Sequence, residues 1–478
     1  VTALPSAGVP GDDVLAEVRA LRKADVPTHG GRTLAYVYDS GLAGVDELAA
    51  AAHAAASSAN GLDPTAFPSL LRMENDLVAA AAGLLGGSAA TVGSVTSGGT
   101  ESCLLAVLAA RNARREVVSP NVVLASTAHA AFHKAAHFFG VRAVQVPVDA
   151  ETFRADPAAM AAAMDESTVL VVASAPSYAH GVVDPIPEIA AAASARGVRM
   201  HVDACIGGWV LPYLARLAER VPPFDFRVAG VTSISVDLHK YAYCPKGVSV
   251  LLHADDELRL PQYFASADWP GYTMLNTTLQ STRSGGPLAA AWAVLRHIGD
   301  DGYLRLASDT RDAVRTIRAG VGAIDGLAVL GDPDSTLIAM RSTSPDFDLF
   351  SVADEMRRRG WYTQPQFAHQ SSPVNLHLTI TASNRGNERE FLDDLAASVT
   401  AARAAGPVAV PAELATYLAS VEPDALTLAE IKALAAGASI SVTGEPAPMA
   451  GINALLAEAP TALRERLLLG FLSSLYSP

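Results

Sequence analysis

TVGSVTSGGTESCLLAVLAARNARR, residues 91–115, decides the fold. A short β-rich run at Thr91–Val95 leads into Thr96-Ser97-Gly98-Gly99-Thr100-Glu101-Ser102, and an alanine- and leucine-rich helical run follows. The same order recurs downstream. Strand-like runs stand at Val122–Ser126, Ala143–Val148, Thr168–Ala173, Val198–Val202, Val231–Val236 and Val248–Leu252, most of them separated by helix-length segments. Seven such runs predict an α/β fold with a mostly parallel sheet covered on both faces. Only eleven residues separate the last two runs, which allows the final strand to be antiparallel.

Outward from this stretch, GVDELAAAAHAAASS (44–58) and the segment from Pro68 to Leu85 read as helices, joined by a Pro-punctuated loop. A loose opening with one short helix precedes them. A smaller α/β region is expected at about 300–405, with strands at Leu327–Leu330, Leu337–Arg341 and Leu376–Ile380. GPVAVPAE (406–413) marks a joint before a helical tail. The expected organisation is an N-terminal segment (1–67), a large domain (68–300), a small domain (301–405) and a helical extension (406–478).

Composition narrows the function. The 478 residues are 50% hydrophobic and 18% charged, enough to bury a large core. The 35 Lys and Arg against 49 Asp and Glu give a net charge of −14, which argues against nucleic acid as a partner. The three cysteines, Cys103, Cys205 and Cys244, form no disulfide framework. No apolar stretch approaches the ~20 residues of a membrane span, and no leader pattern opens the chain. These features predict a soluble cytoplasmic protein.

Ligands of an open α/β sheet sit at the carboxyl ends of its strands. After the first strand, two glycines and a helix N-terminus offer an anion cradle, or an ordinary turn capped by Thr100. The fifth run ends in Asp203, either an acid facing the crevice or a helix cap. The sixth leads to Ser235-Val236-Asp237-Leu238-His239-Lys240, where partial desolvation would lower the lysine pKa and make a nucleophile; the alternative is a surface lysine. In combination, a phosphate cradle, an acid and a lysine are what pyridoxal phosphate requires. The GxGxxG of a nicotinamide enzyme and a P-loop GKS/GKT are both absent.

TSGGTES, TAHAAFHKAAHFFG, APSYAHGVVDPIPEIA, HVDACIGGW, FDFRVAGVTSISVDLHKYAYCPKG, STRSGG, TGEPAPMAGINALL and FLSSLYS resemble the group II pyridoxal-phosphate decarboxylases, most of all the sphingosine-1-phosphate lyase branch. The resemblance implies a fold-type I enzyme that works as a homodimer with shared active sites on a small amine substrate. It implies that Lys240 holds the cofactor covalently, Asp203 contacts the pyridine nitrogen and His129 stacks on the ring. Gly99 and Thr100 would bind the cofactor phosphate, with His239 nearby. Gly285 and Gly286 would reach the phosphate from the neighbouring subunit. Tyr38 and Tyr178 fall at active-site aromatics, and Lys246 at a cation near the substrate phosphate. Asn60 and Asp63 belong to the loop aligned with a substrate-facing one; Asp63 stands where the lyases have a histidine, and Asp39 replaces a neutral or basic residue. Both changes oppose a phosphorylated head group.

The implied reaction is retro-aldol cleavage of a phosphorylated or related amino alcohol to an aldehyde and an amine; the alternative is amino-acid decarboxylation. His129, His133 and His137 are spaced for one helical face, but no metal is expected because the resemblance already employs His129. Cys205 and Cys244 are expected to be packing residues.

Overall fold

The computed structural model describes residues 4–437 and 448–476. Residues 443–447 of TGEPAPMAGINALL and Ser477 of FLSSLYS lie outside the described residues. The large domain is built on a seven-stranded sheet. Its strands are β1 (Val92–Thr96), β2 (Asn121–Ala125), β3 (Arg142–Val146), β4 (Thr168–Ser174), β5 (Arg199–Asp203), β6 (Ser233–Val236) and β7 (Ser249–His253). Their spatial order is β1-β7-β6-β5-β4-β2-β3. The pairs from β3 to β6 are parallel, and β7 runs antiparallel to both β6 and β1. Every residue of β2, β4, β6 and β7 is buried, and β2 and β4 accordingly read as apolar runs, whereas β6 (Ser-Ile-Ser-Val) alternates and buries its serines as well.

Five helices bear on the site or its surroundings: α1 (Gly11–Leu21), α2 (Val45–Ala56), α3 (Pro68–Leu84), α4 (Gly99–Ala113) and α5 (Ala131–Phe139). The helix Gly285–Ala323 runs from the large domain into the small one and breaks at Gly299, whose φ of 64° takes it out of helical geometry. The expected boundary at 300 therefore falls beside this kink, inside one long element. Gly285 and Gly286 open that helix. A Cβ on Gly285 would lie 2.6 Å from Leu70 Cδ2, and one on Gly286 2.6 Å from His53 Nε2. Both glycines thus let the helix lie against α2 and α3.

The small domain holds a four-stranded antiparallel sheet. After the hairpin β8 (Phe264–Ser266) and β9 (Met274–Asn276), its strands are β10 (Leu327–Val329), β11 (Leu337–Ser342), β12 (Gln364–Gln366) and β13 (Asn375–Thr379), in the order β10-β11-β13-β12. Sequence reading misses the hairpin and β12; β12 is three residues long with Pro365 at its centre. The N-terminal segment is not free-standing. Leu34 is buried in the small-domain core with Trp361, Leu378 and Phe391, and its carbonyl accepts from the Thr379 N–H at 2.7 Å. The tail folds as helices Ala412–Ser420, Leu428–Gly437, Ala450–Glu458 and Thr461–Leu475, with a satellite core around Leu418 and Leu463.

Candidate active site

At the carboxyl ends of β1, β2, β4, β5 and β6, Gly99, Thr100, His129, Tyr178, Asp203, His239 and Lys240 line one cavity of about 340 Å³. A larger cleft of about 1070 Å³, between α3 and the helix Gly207–Arg216, contains none of these residues.

The cradle forms first. Thr96 and Ser102 share a hydrogen bond of 2.7 Å, and Ser102 shares another of 2.9 Å with Ser249, so the start of α4 is pinned to β1 and β7. Gly98, with φ 152° and ψ 170°, makes a turn open essentially to glycine alone. A Cβ on Gly99 would come within 2.6 Å of Asp237 Oδ2 and 2.9 Å of Cys205 Sγ. Glu101 occupies the Ser97 N–H at 2.6 Å and the Leu279 N–H at 2.9 Å, so its carboxylate is spent on backbone. The Gly99 and Thr100 N–H groups open α4 and have no acceptor in a preceding turn.

Asp203 closes β5. Its Oδ1 accepts from the Cys205 N–H at 3.1 Å and the Ser235 hydroxyl at 3.4 Å, which leaves Oδ2 unused among the described residues. Ser235 also meets His201 Nε2 at 3.2 Å, and a buried hydroxyl thereby steadies the acid. His129 precedes α5 rather than lying on it, and its Nδ1 accepts from the Ala131 N–H at 3.2 Å. His133 pairs instead with Gln145, and His137 stands against Phe138. The three histidines therefore do not share one helical face.

Lys240 corrects one expectation. Its Nζ lies 3.0 Å from Asp237 Oδ2. Burial alone would lower the amine's pKa, but Asp237 and, behind it, Tyr38, Cys205 and Asp203 raise it well above the ordinary lysine value. Burial likewise pushes the Asp237 carboxyl up, and Lys240 and His239 outweigh that and hold it below its usual range. The resting pair is ammonium and carboxylate, not a desolvated free amine. Asp237 is the residue sequence reading missed; the signal was an acid three positions before the lysine, inside the quoted SVDLHK. Its Oδ1 is buried with no hydrogen-bond partner among the described residues.

Around the mouth, Tyr178 stacks on His377 with centroids 4.2 Å apart and presents an edge to His129 at 6.5 Å. Tyr38 is half-buried, meets Tyr241 edge to face at 5.1 Å, and lies under the Lys246 ammonium at 4.9 Å. Burial raises the pKa of both Tyr38 and Tyr178 above the ordinary phenol. The remaining site candidates lie outside the cavity of their own chain. Asn60 bridges to Ser284. Asp63 is exposed and accepts from the Thr65 N–H at 2.8 Å and its hydroxyl at 2.6 Å. Asp39 is buried and accepts from the N–H groups of Gly30 and Gly41, each at 3.0 Å.

These residues fit pyridoxal phosphate. The unused Asp203 oxygen suits a protonated ring nitrogen, the open helix N-terminus suits a phosphate, and Lys240 suits an aldehyde. Gly99 and Asp237 both line that volume, and Asp237 Oδ1 is a buried polar atom without a hydrogen-bond partner among the described residues. Asp237→Asn removes the charge that raises the Lys240 pKa, leaving burial to lower it. The cofactor-free variant is expected to react with an aldehyde reagent at lower pH than the parent. Breaking the buried pair is also expected to cost about 3–5 kcal/mol. A reaction–pH profile and a denaturant titration read the two effects.

Residues 3–342 match the pyridoxal-dependent decarboxylase conserved domain, and residues 412–474 match a C-terminal HTH domain of pyridoxal-dependent enzymes. The chain is 36% identical over 397 residues to the sphingosine-1-phosphate lyase of Dictyostelium discoideum, covering 83% of this chain and 74% of that protein. It is 36% identical over 405 residues to sphingosine-1-phosphate lyase 1 of Rattus norvegicus, covering 84% and 70%. The solved sphingosine-1-phosphate lyase of Burkholderia pseudomallei superposes with a TM-score of 0.79 at 37% identity, over 84% of this chain and 93% of that one. With the lysine, the acid and the cradle converging on one cavity, the chain belongs to the pyridoxal-dependent decarboxylase family and is a pyridoxal-phosphate-dependent lyase.

Proposed function

We propose that the reaction is carbon–carbon cleavage of an amino alcohol with a long apolar arm and an anionic, phosphate-type head, giving an aldehyde and an amine. The observation that carries this reading is Lys246. Its ammonium is held by the Tyr36 carbonyl at 2.9 Å and the His239 carbonyl at 3.4 Å, a fixed cation beside the catalytic lysine's own segment. A second cavity of about 340 Å³, lined in part by Ala128, Val148, Ala179 and Phe367, shares His129 and Tyr178 with the first and offers an apolar arm a place.

Bound pyridoxal phosphate supplies an electron sink for the pair released when a bond at the amine-bearing carbon breaks. Cleavage removes the C3 hydroxyl proton, breaks the Cα–Cβ bond and returns a proton to Cα. Burial keeps Tyr38 and Tyr178 protonated; the Tyr178 hydroxyl donates to Gln364 Oε1 at 2.6 Å and offers its oxygen as an acceptor. The proton-accepting role falls to Lys240 when it stands as a neutral amine, and Asp237 at 3.0 Å stabilises the ammonium that results. His129 flanks the ring position from the β2 side.

The chain works as a homodimer on this reading. The Asn60–Pro68 loop and the Gly285-Gly286 turn lie side by side, with Gly61 N–H to Arg283 O at 2.7 Å and Gly285 N–H to Ala59 O at 3.0 Å. Both stand away from their own chain's cavity, as segments serving a neighbour's site would. Helix α1 buries no residue and exposes Val14, Leu15, Val18 and Leu21, an apolar stripe a second copy can cover. No helix among the described residues is long and apolar enough to cross a membrane. A cytoplasmic location is proposed on the three free, buried cysteines. Acidic residues outnumber basic ones in 412–474, so the HTH-type tail lacks the basic footprint of a nucleic-acid reader.

Product identification tests the reaction: a long-chain aldehyde supports it, and carbon dioxide from an amino acid replaces it with decarboxylation. The head-group cation has its own signature. Burial and the neighbouring Lys240 push the Lys246 pKa down to about 8. Its charge is present below that pH and lost above it, so kcat/KM for a phosphorylated amine is expected to fall as pH rises through 8. Lys246→Gln should lower the low-pH value and flatten that limb of the pH profile.

A further inference from the structure

Tyr178 is not held by its own loop alone. Its hydroxyl donates to Gln364 Oε1 at 2.6 Å, and Gln364 Nε2 donates to the Tyr36 hydroxyl at 2.6 Å. Three separate parts of the chain meet in this link: the segment after β4, strand β12 of the small domain, and the N-terminal segment. Tyr36 sits at φ 63°, a left-handed conformation that a bulky residue rarely adopts. In that conformation its carbonyl accepts from the Lys246 ammonium at 2.9 Å while its ring reaches Gln364. One strained residue therefore serves both the cation and the tyrosine, and local strain of this kind persists where the surroundings over-determine it.

We propose that Gln364, tied to Tyr36, is a positioning residue that sets the Tyr178 hydroxyl at the mouth of the cofactor cavity and thereby orients the substrate for bond cleavage. The proposal deepens the functional reading above and rests on it. Stacking on His377 fixes the plane of the Tyr178 ring but leaves the ring free to slide within that plane. The Gln364 amide supplies the missing in-plane restraint. Because Gln364 belongs to the small domain, the position of that domain is transmitted to a group at the reacting centre. Misplacement of a reacting group by about 1 Å costs up to ~100-fold in rate.

The test is a double-mutant cycle on the cofactor-loaded enzyme with Gln364→Leu and Tyr178→Phe. Gln364→Leu is expected to lower kcat about 10- to 100-fold with a much smaller change in KM. In the Tyr178→Phe background the same substitution should cost less than about twofold, because the two residues act through one hydroxyl. Gln364→Glu, which can accept from both hydroxyls, should recover most of the lost rate. Tyr36→Phe, removing only the far end of the link, should give a smaller loss that also vanishes in the Tyr178→Phe background; it carries the test if Gln364→Leu does not fold. An absorbance titration with an unreactive amine should show nearly unchanged affinity. Additive losses, or a Gln364→Leu enzyme within twofold of the parent, overturn the proposal. The cycle is run on whichever amine the parent consumes. The parent's product, aldehyde or carbon dioxide, judges the reaction assignment separately from the link.

Discussion

Lys240→Ala is expected to abolish turnover and to leave the protein folded. The side chain is mostly buried, but its fixed polar contact is with a single group, Asp237, and no apolar packing depends on the ammonium. Borohydride reduction of the loaded parent should fix the cofactor on Lys240 and on no other lysine, as read by peptide mass spectrometry. Two other lysines test the assignment. Lys134, on α5, leans over the Phe138 ring at 5.3 Å, and Lys246 is engaged with carbonyls of Tyr36 and His239. Neither stands at the strand-end cavity beside Asp203. An adduct on either would overturn the placement of the cofactor. The variant also leaves Asp237 buried without its cation, so its carboxyl should titrate higher than in the parent, the direction burial imposes. A loss of stability on raising the pH would follow, because ionising an unpaired buried carboxyl opposes folding. Urea midpoints of parent and variant at two pH values measure it.

The sheet was legible because its signal is local. Strand after strand is a short apolar run ended by a turn, and the cavity lies where every open parallel sheet puts one. Gly99 and Lys240 follow strands and Asp203 ends one, so position along the chain was enough to find them. Gly98-Gly99 carried a second signal, since glycines before a helix mark close approach. What the sequence hid depends on distance through space. Asp237 sits beside Lys240 in the chain, yet only folding sets the two charges 3.0 Å apart, where the Asp237 charge reverses the direction that desolvation alone predicts. Gln364 lies in a strand interrupted by proline, too short and polar to announce itself, and only folding brings it to Tyr178. Asp39 shows the same dependence on space: aligned position marks only the change of residue, and folding gives its oxygens the Gly30 and Gly41 N–H groups. The histidine spacing carries no shared face, because helical spacing counts only where there is a helix, and His129 falls before α5 begins.

Asp203→Asn is expected to keep the cofactor bound and to lower the rate by several orders of magnitude. Cofactor retention follows from the number of independent anchors: the open N-terminus of α4 for the phosphate and Lys240 for the aldehyde both remain. The rate loss follows from charge. An ionised carboxylate facing the ring nitrogen stabilises that nitrogen's proton, and a neutral amide cannot do so equally well. The surroundings are built to present that carboxylate in one orientation. The Cys205 N–H and the Ser235 hydroxyl both bind Oδ1, so Oδ2 is the oxygen left to face the cavity. An asparagine must either turn its oxygen to those two donors and offer its NH₂ to the ring, or turn the other way and leave buried donors unsatisfied. The first choice puts a donor against a nitrogen that then cannot hold its own proton. Ser235→Ala separates orientation from charge: it removes one of the two donors and keeps the carboxylate, so its loss should be small beside that of Asp203→Asn. Steady-state kcat, with bound cofactor quantified by absorbance, reads all three proteins. An Asp203→Asn enzyme within about tenfold of the parent, roughly 1.4 kcal/mol of barrier, would show that the ring nitrogen has another partner.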